Sequence, residues 1–155
     1  MQDPKLNRRA FLATAAAAGL LAACGGGPKP ATVTVAATGG AGMNARGGAD
    51  RPVTVSILRL KDAGAFNSAD YFALQEDAAG VLGADLVGMD QIAVAPGGAA
   101  SKTVTMEPEA TTLGLMAALI DPAGKTWRTA VPVQPGSNVT LNVALGPSGL
   151  SVTTA

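Results

Sequence analysis

Val139-Thr140-Leu141-Asn142-Val143-Ala144-Leu145 places apolar side chains at every second position and smaller or polar ones between them. Successive side chains of an extended chain point to opposite faces, so this is a strand with one face buried and the other wet. The same period recurs through the chain. Val33 and Val35 alternate with Thr32 and Thr34, and Val53, Val55 and Ile57 with Thr54 and Ser56. Ile92 and Val94 follow, then Val104 and Met106 opposite Lys102, Thr103 and Thr105. Trp127, Thr129, Val131 and Val133 form another face, and Leu150 and Val152 a last short strand. Leu58 and Leu60 change phase around Arg59, which predicts a bulge or a strand covered on both sides. Thr112 to Ile120 is almost unbroken apolar sequence, as expected of a central strand. Turn chemistry separates the runs at Ala95-Pro96-Gly97-Gly98, Asp121-Pro122-Ala123-Gly124 and Val133-Gln134-Pro135-Gly136-Ser137. Short strands joined by such turns predict an all-β antiparallel sandwich or barrel.

One segment departs from this period. Phe66 to Gln75 reads as a helix with Asn67 or Ser68 as its cap and Asp70 in its first turn. With Asn67 as cap, Phe66 and Tyr71 occupy the two staple positions. A second short helix is expected through Ala78 to Leu82, ended by Gly83. Phe66, Tyr71 and Phe72 are expected to seal one end of the sandwich, with a platform for a partner as the sharper alternative.

The composition narrows the chemistry. Eleven basic and eleven acidic residues give a formal net charge of zero, and aromatics make up 3% of 155 residues. Neither a basic footprint nor a base-stacking platform for nucleic acid is present. Without histidine there is no Ser-His-Asp triad, Cys-His pair or His-ligated metal, and a lone Cys makes neither an internal disulfide nor a Cys-rich zinc site.

The chain begins as an address. Lys5, Arg8 and Arg9 form a basic start, and an Ala-rich apolar run extends from Ala10 to Ala23, too short to span a bilayer but suited to a signal-peptide core. Asn7-Arg8-Arg9-Ala10-Phe11-Leu12 is similar to a twin-arginine motif, which leaves the export route open between twin-arginine and general secretion. Leu21-Ala22-Ala23-Cys24 resembles the lipobox of bacterial lipoproteins. That resemblance implies lipidation of the Cys24 thiol and cleavage before it, so residues 1–23 are read as signal peptide. A single acceptor fits a single Cys. With Lys5, Arg8, Arg9 and Asp3 removed, eight basic and ten acidic residues remain, a net charge near −2. Nothing polybasic then assists membrane binding, and the anchor is hydrocarbon. At about 0.8 kcal/mol per buried methylene, two or three acyl chains hold firmly where one is marginal. Gly25 stands where the lipoprotein sorting rule has Asp for inner-membrane retention, which implies transfer to the outer membrane. Residues 24–30, with Gly25-Gly26-Gly27-Pro28-Lys29-Pro30, form a flexible tether stiffened at its end, and residues 31–155 the periplasmic domain.

Arg51-Pro52-Val53-Thr54-Val55-Ser56-Ile57-Leu58-Arg59-Leu60-Lys61, Ala65-Phe66-Asn67-Ser68-Ala69-Asp70-Tyr71-Phe72-Ala73-Leu74, Leu82-Gly83-Ala84-Asp85-Leu86 and Asp90 carry a family resemblance. Val94-Ala95-Pro96-Gly97, Thr126-Trp127-Arg128 and Val131-Pro132-Val133 extend it. Together with the lipobox they resemble the outer-membrane lipoprotein family of type VI secretion (TssJ, VasD or SciN), over about Ala31 to Leu145. The resemblance implies a transthyretin-like β-sandwich with a short helical insertion, lipid-anchored at the periplasmic face of the outer membrane. It implies a structural tether whose partner is the periplasmic domain of the large TssM-type inner-membrane protein. It also implies that the loop between the first two strands, Thr38 to Asp50, helps contact that partner. Met43, Asn44 and Arg46 are the candidate anchors in it. No cofactor is expected beyond the covalent lipid on Cys24, and no small-molecule substrate.

Other readings of single motifs are weaker. Gly39-Gly40-Ala41-Gly42 is not followed by a helix carrying Lys, so it makes a poor phosphate cradle. Asp85 with Asp90, or Glu76 with Asp77, read as solvated or capping acids before catalytic pairs. Asn138-Val139-Thr140 matches a glycosylation string by chance at a strand start, and Met43, Met89, Met106 and Met116 show no metal-ligand spacing. Trp127 is expected to pack the core edge with Arg128 pointing to water. The rival to a tether is a carrier of a small apolar ligand, which needs a deep pocket. An envelope enzyme lacks a nucleophile motif.

Overall fold

The computed structural model describes Gly27 and residues 29–155. The expected signal segment, with Arg8, Arg9, Leu21, Ala22 and Ala23, and the expected lipidation residue Cys24 lie outside the described residues. The elements are β1 (Thr32–Gly39), β2 (Val53–Leu60), α1 (Gly64–Ser68), α2 (Tyr71–Leu82), β3 (Leu86–Val94), β4 (Ala99–Thr105), β5 (Thr112–Ala117), β6 (Arg128–Pro132), β7 (Asn138–Gly146) and β8 (Gly149–Thr154). They form two four-stranded sheets, ordered β4-β1-β7-β8 and β3-β2-β5-β6. The period-two segments thus close into a sandwich. One pair departs from the antiparallel expectation: β1 lies between β4 and β7 and runs parallel to β7, with Val33 opposite Val139 and Val35 opposite Leu141. Alternation fixes which face of a strand is buried but carries no direction, so this long-range pairing was not readable.

The core is the meeting of the two alternating faces. Val33, Val35, Leu141, Val143 and Leu145 of one sheet face Val53, Val55, Ile57, Leu113 and Leu115 of the other, all buried. A second cluster lies on the outer face of the β3-β2-β5-β6 sheet, where Leu58, Leu60 and Met116 meet Phe66, Leu74 and Leu82 of the helices. This explains the phase change in β2. Its odd positions face the sandwich, its even positions face the helices, and the register shifts between Arg59 and Leu60. Gly114 permits the close approach. A β-carbon there would stand 3.1 Å from Leu60 Cδ1 and 3.2 Å from the Phe66 ring.

The helical insertion differs from expectation in two ways. Asp70, not Asn67 or Ser68, is the cap of α2: its carboxylate accepts from the Phe72 and Ala73 amides at 3.0 and 3.2 Å. Asn67 and Ser68 belong to the shorter α1. The helix is broken at Asp77, whose side chain accepts from the Gly80 amide, so the separate segment from Ala78 to Leu82 is present, stopped at Gly83. The aromatics also divide: Phe66 is buried on the sheet face, Tyr71 is buried against Leu119 and Trp127 beyond the end of β5, and Phe72 is 67% exposed.

A cluster of charges joins the sheets along their β3 and β4 edges. Arg59 pairs with Asp90 of β3 and, at 2.9 Å, with Glu107 just beyond β4; Lys102 of β4 reaches Asp90 at 3.0 Å. Hydrogen bonds from Arg59 and Lys102 hold the Asp90 carboxyl below the ordinary carboxylate range.

Candidate partner interface

The strand order places the entry into β1 and the long loops at opposite ends of the sandwich. Residues 29–31 run into β1 beside Met106, Glu107, Pro108 and Pro135. The other end carries the β1–β2 connection (residues 40–52), the β3–β4 turn (95–98), the β5–β6 connection (118–127) and the β7–β8 turn (147–148). An eight-residue strand at about 3.3 Å per residue separates the two ends by about 26 Å.

The β1–β2 loop is built, not slack. Its base is tied by the Gly40 amide to Leu145 O at 2.7 Å and by the Gly42 amide to the Asp50 carboxylate at 3.0 Å. Its tip is a miniature hairpin in which Arg46 and Ala49 exchange backbone hydrogen bonds around Gly47 and Gly48. Both glycines have positive φ, 64° and 79°, as such a tight reversal requires. Two of the three expected anchors face inward. Met43 is fully buried in the main core. Asn44 is buried with φ 47°, in the left-handed region that Asn tolerates better than most residues. Its Oδ1 accepts from the Ile120 amide at 2.8 Å and its Nδ2 donates to Pro52 O at 3.1 Å. Both residues therefore shape the loop instead of presenting themselves to a partner. A methionine next to a short polar residue in a glycine-rich loop gives no sequence sign of which will turn in. Arg46 alone of the three is exposed.

Asn44 couples this loop to the β5–β6 connection, and Tyr71 couples that connection to α2. The Tyr71 hydroxyl donates to Leu119 O at 2.6 Å and accepts from Leu119 N at 2.7 Å. Burial raises the Tyr71 pKa above its ordinary value, against lowering contributions from the hydrogen bonds with Leu119 and Gln75. The Tyr71 ring meets Trp127 edge-on at 5.0 Å, as expected of a tryptophan at the core edge. Arg128 does not point to water. Its guanidinium stands 4.4 Å over the Trp127 ring and donates to Phe66 O and Ala69 O at 2.8 and 2.6 Å, satisfying carbonyls at the end of α1. Sequence spacing could not show these links, because they join residues far apart in the chain.

Between the two loops lies a shallow groove lined by Ala45, Arg46, Gly47, Ile120, Asp121 and Lys125. Ile120 is 40% exposed. The two acids of this end are exposed, and each accepts one amide hydrogen bond within its own loop: Asp50 from Gly42 N at 3.0 Å and Asp121 from Ala123 N at 3.2 Å. Among the described residues, no group of three or more His, Cys, Asp or Glu side chains stands together as a metal site, and no helix is long and apolar enough to cross a membrane. The space between the sheets is filled by side chains with almost no exposure.

A family model for type VI secretion lipoproteins (VasD, EvfM, TssJ) matches residues 31–148. Among solved structures, the chain is similar to the type VI secretion lipoprotein TssJ1 from Pseudomonas aeruginosa, with 28% identity, 83% of this chain and 98% of that one covered, and a TM-score of 0.73. It is likewise similar to Lip of Serratia marcescens, a membrane-bound component of the type VI secretion system, with 27% identity, 81% and 98% covered, and a TM-score of 0.71. A chain in the structure of the TssM C-terminal domain from EAEC matches with 25% identity, 81% and 98% covered, and a TM-score of 0.62. No curated protein matches the chain.

Proposed function

The chain belongs to the family of type VI secretion lipoproteins, and from that premise we propose that it is a lipid-anchored mooring for the secretion complex at the periplasmic face of the outer membrane. Acyl chains on Cys24 supply the membrane affinity, residues 24–30 supply reach, and the sandwich supplies a rigid surface. The partner is the periplasmic domain of a TssM-type inner-membrane protein, in line with the relative found in a TssM C-terminal-domain structure. Its role is structural and not enzymatic. The observation that carries this reading is the family match across residues 31–148, which spans both sheets and the helical insertion. The geometry supports it: the tether meets one end of the sandwich and the built loops occupy the other, so a domain held at the membrane presents those loops to the periplasm. Tethering also raises the local concentration of the domain beside its partner, so modest contacts suffice. The filled interior gives no support to a small-ligand carrier.

The test is fractionation of cells expressing the full chain and its Cys24→Ser variant, followed by co-purification with the TssM-type periplasmic domain. The expected result is a wild-type protein in the outer-membrane fraction, a folded variant released from membranes, and capture of the partner by both. A variant that stays membrane-bound, or a wild type in the inner membrane, would overturn the anchoring; absence of capture would overturn the partnership.

A further inference from the structure

We infer that the outer face of the β3-β2-β5-β6 sheet docks a basic amphipathic helix of a second protein, which lies beside α2 and over β3. This goes beyond the mooring role, and the site is on the flank of the sandwich, not at its loop end.

The helical layer on this face is incomplete. The helices cover Leu58 and Leu60 of β2 and Met116 of β5. Met89 of β3, directly opposite Leu58, is nonetheless 45% exposed. A groove of about 220 Å³ lies there between α2 and the sheet, floored by Leu58, Met89 and Met116. Of the four large apolar side chains left exposed among the described residues, Phe72, Val81 and Met89 belong to α2 or β3. Phe72 stands one turn before Glu76, on the same face of the helix. Exposed apolar groups concentrated on two neighbouring elements mark a contact surface.

The shape suits a helix. Helices are what pack on this sheet face already, and one more laid beside α2 extends that layer over β3. The α2 wall of the groove carries Ala78 and Ala79, so a second helix can approach to about 8–10 Å between axes. Methionines on the floor adapt to the side chains that enter.

Charge selects the occupant. Glu76 and Asp77 also line the groove, both exposed and in no ion pair among the described residues, and no Lys or Arg lines it. Asp77 accepts from the Gly80 amide, which leaves its charge in place. The cations that meet β3, Arg59 and Lys102, are already paired with Asp90. A second copy of this chain, docked by the same face, would set acids against acids, and a phosphate-bearing lipid surface is repelled in the same way. A helix with Lys or Arg beside its apolar stripe is attracted.

The test installs a photo-crosslinking amino acid in the full-length chain, in cells carrying the whole secretion system, and sequences the captured peptides. One position is Gln91, which lines the groove; the control is Thr103, exposed on the opposite sheet. The expected capture at Gln91 is a segment with apolar residues at i, i+3, i+4 and i+7 and Lys or Arg between them, with about fivefold less from Thr103. Glu76→Lys, Met89→Ala and Ala79→Arg should each cut the Gln91 yield about threefold or more, with the amount of protein in the membrane fraction unchanged. All three side chains are exposed, and thermal melting of each purified variant confirms its fold. No capture at Gln91, an equal yield at Thr103, or unchanged yield in the three variants overturns the inference. Capture of an acidic segment, a lipid or a second copy of this chain overturns it as well, and none of these results touches the anchoring or the partnership proposed above.

Discussion

Removing one oxygen atom, in Tyr71→Phe, tests whether the loop end is locked from beneath by α2. The ring would keep its place against Trp127 and Phe72, at centroid distances of 5.0 and 5.1 Å, so packing is conserved. What disappears are two hydrogen bonds of 2.6 and 2.7 Å to the carbonyl and amide of Leu119, itself 6% exposed. Stranding a buried backbone group costs about 1–3 kcal/mol, and water reaches this loop in part, so the two together amount to about 2–4 kcal/mol. For a domain of this size a loss of 1 kcal/mol lowers Tm by about 4 °C, so the variant should melt about 10 °C lower. Urea unfolding followed by the fluorescence of Trp127, the sole tryptophan, measures it directly. Asn44→Ala should be non-additive with Tyr71→Phe by about 0.5 kcal/mol or more, because the two side chains pin adjacent residues, Leu119 and Ile120. A pH profile adds an independent check. The folded-state pKa of Tyr71 is raised by burial above its ordinary value of 10.0. The associated stability is therefore complete below pH 10 and lost as pH rises through the higher folded value, and Tyr71→Phe should remove that alkaline slope. A stability change below about 0.5 kcal/mol, with the alkaline slope intact, would refute the lock.

Asp90→Asn should cost about 1 kcal/mol near neutral pH, since the cluster is partly screened by solvent. Because the Asp90 pKa is depressed by Arg59 and Lys102, that contribution is present above the ordinary carboxylate value of 3.8 and lost as pH falls through the lower folded value; acid unfolding of the wild type and variant should therefore converge. Gly149→Ala should be severe. Gly149 has φ 99°, and a β-carbon there collides with the Thr126 carbonyl that accepts from the Leu150 amide, so a loss of about 2 kcal/mol or more, or failure to fold, is expected on thermal melting. Asp70→Ala removes the α2 cap and should cost about 1 kcal/mol, with Asp70→Asn or Ser largely restoring it, as read by urea unfolding.

The strands were legible because burial on one face writes itself into alternate residues: Val139 to Leu145 reads as β7, and Val53 to Ile57 as the start of β2. The doubled burial of β2 was also written, in the phase change at Arg59. What the sequence left open are pairings between residues that share no local signal. The parallel alignment of β1 with β7 depends on chain direction, to which a period of two is blind. In the β1–β2 loop, the resemblance to a family pointed to three residues, of which only Arg46 faces outward. Met43 is drawn inward by its apolar bulk, and Asn44 by two backbone groups, Ile120 N and Pro52 O, that need partners. Lys125 and Ile120 stood beside an evident turn at Asp121-Pro122, yet only the fold brings that turn against Arg46.

The position of β1 bears on how such a mooring carries load. In the proposed mooring, a pull from the amino-terminal side enters the domain at Thr32 and runs along an interior strand, clasped by β4 on one flank and β7 on the other. Tension along that axis loads both hydrogen-bond ladders in shear, so they must fail together; an edge strand attached the same way would peel bond by bond. Resistance to being torn out is then set by how slowly the sandwich unfolds under force, which makes mechanical lifetime, more than melting temperature, the property that sequence changes in β1 should alter most.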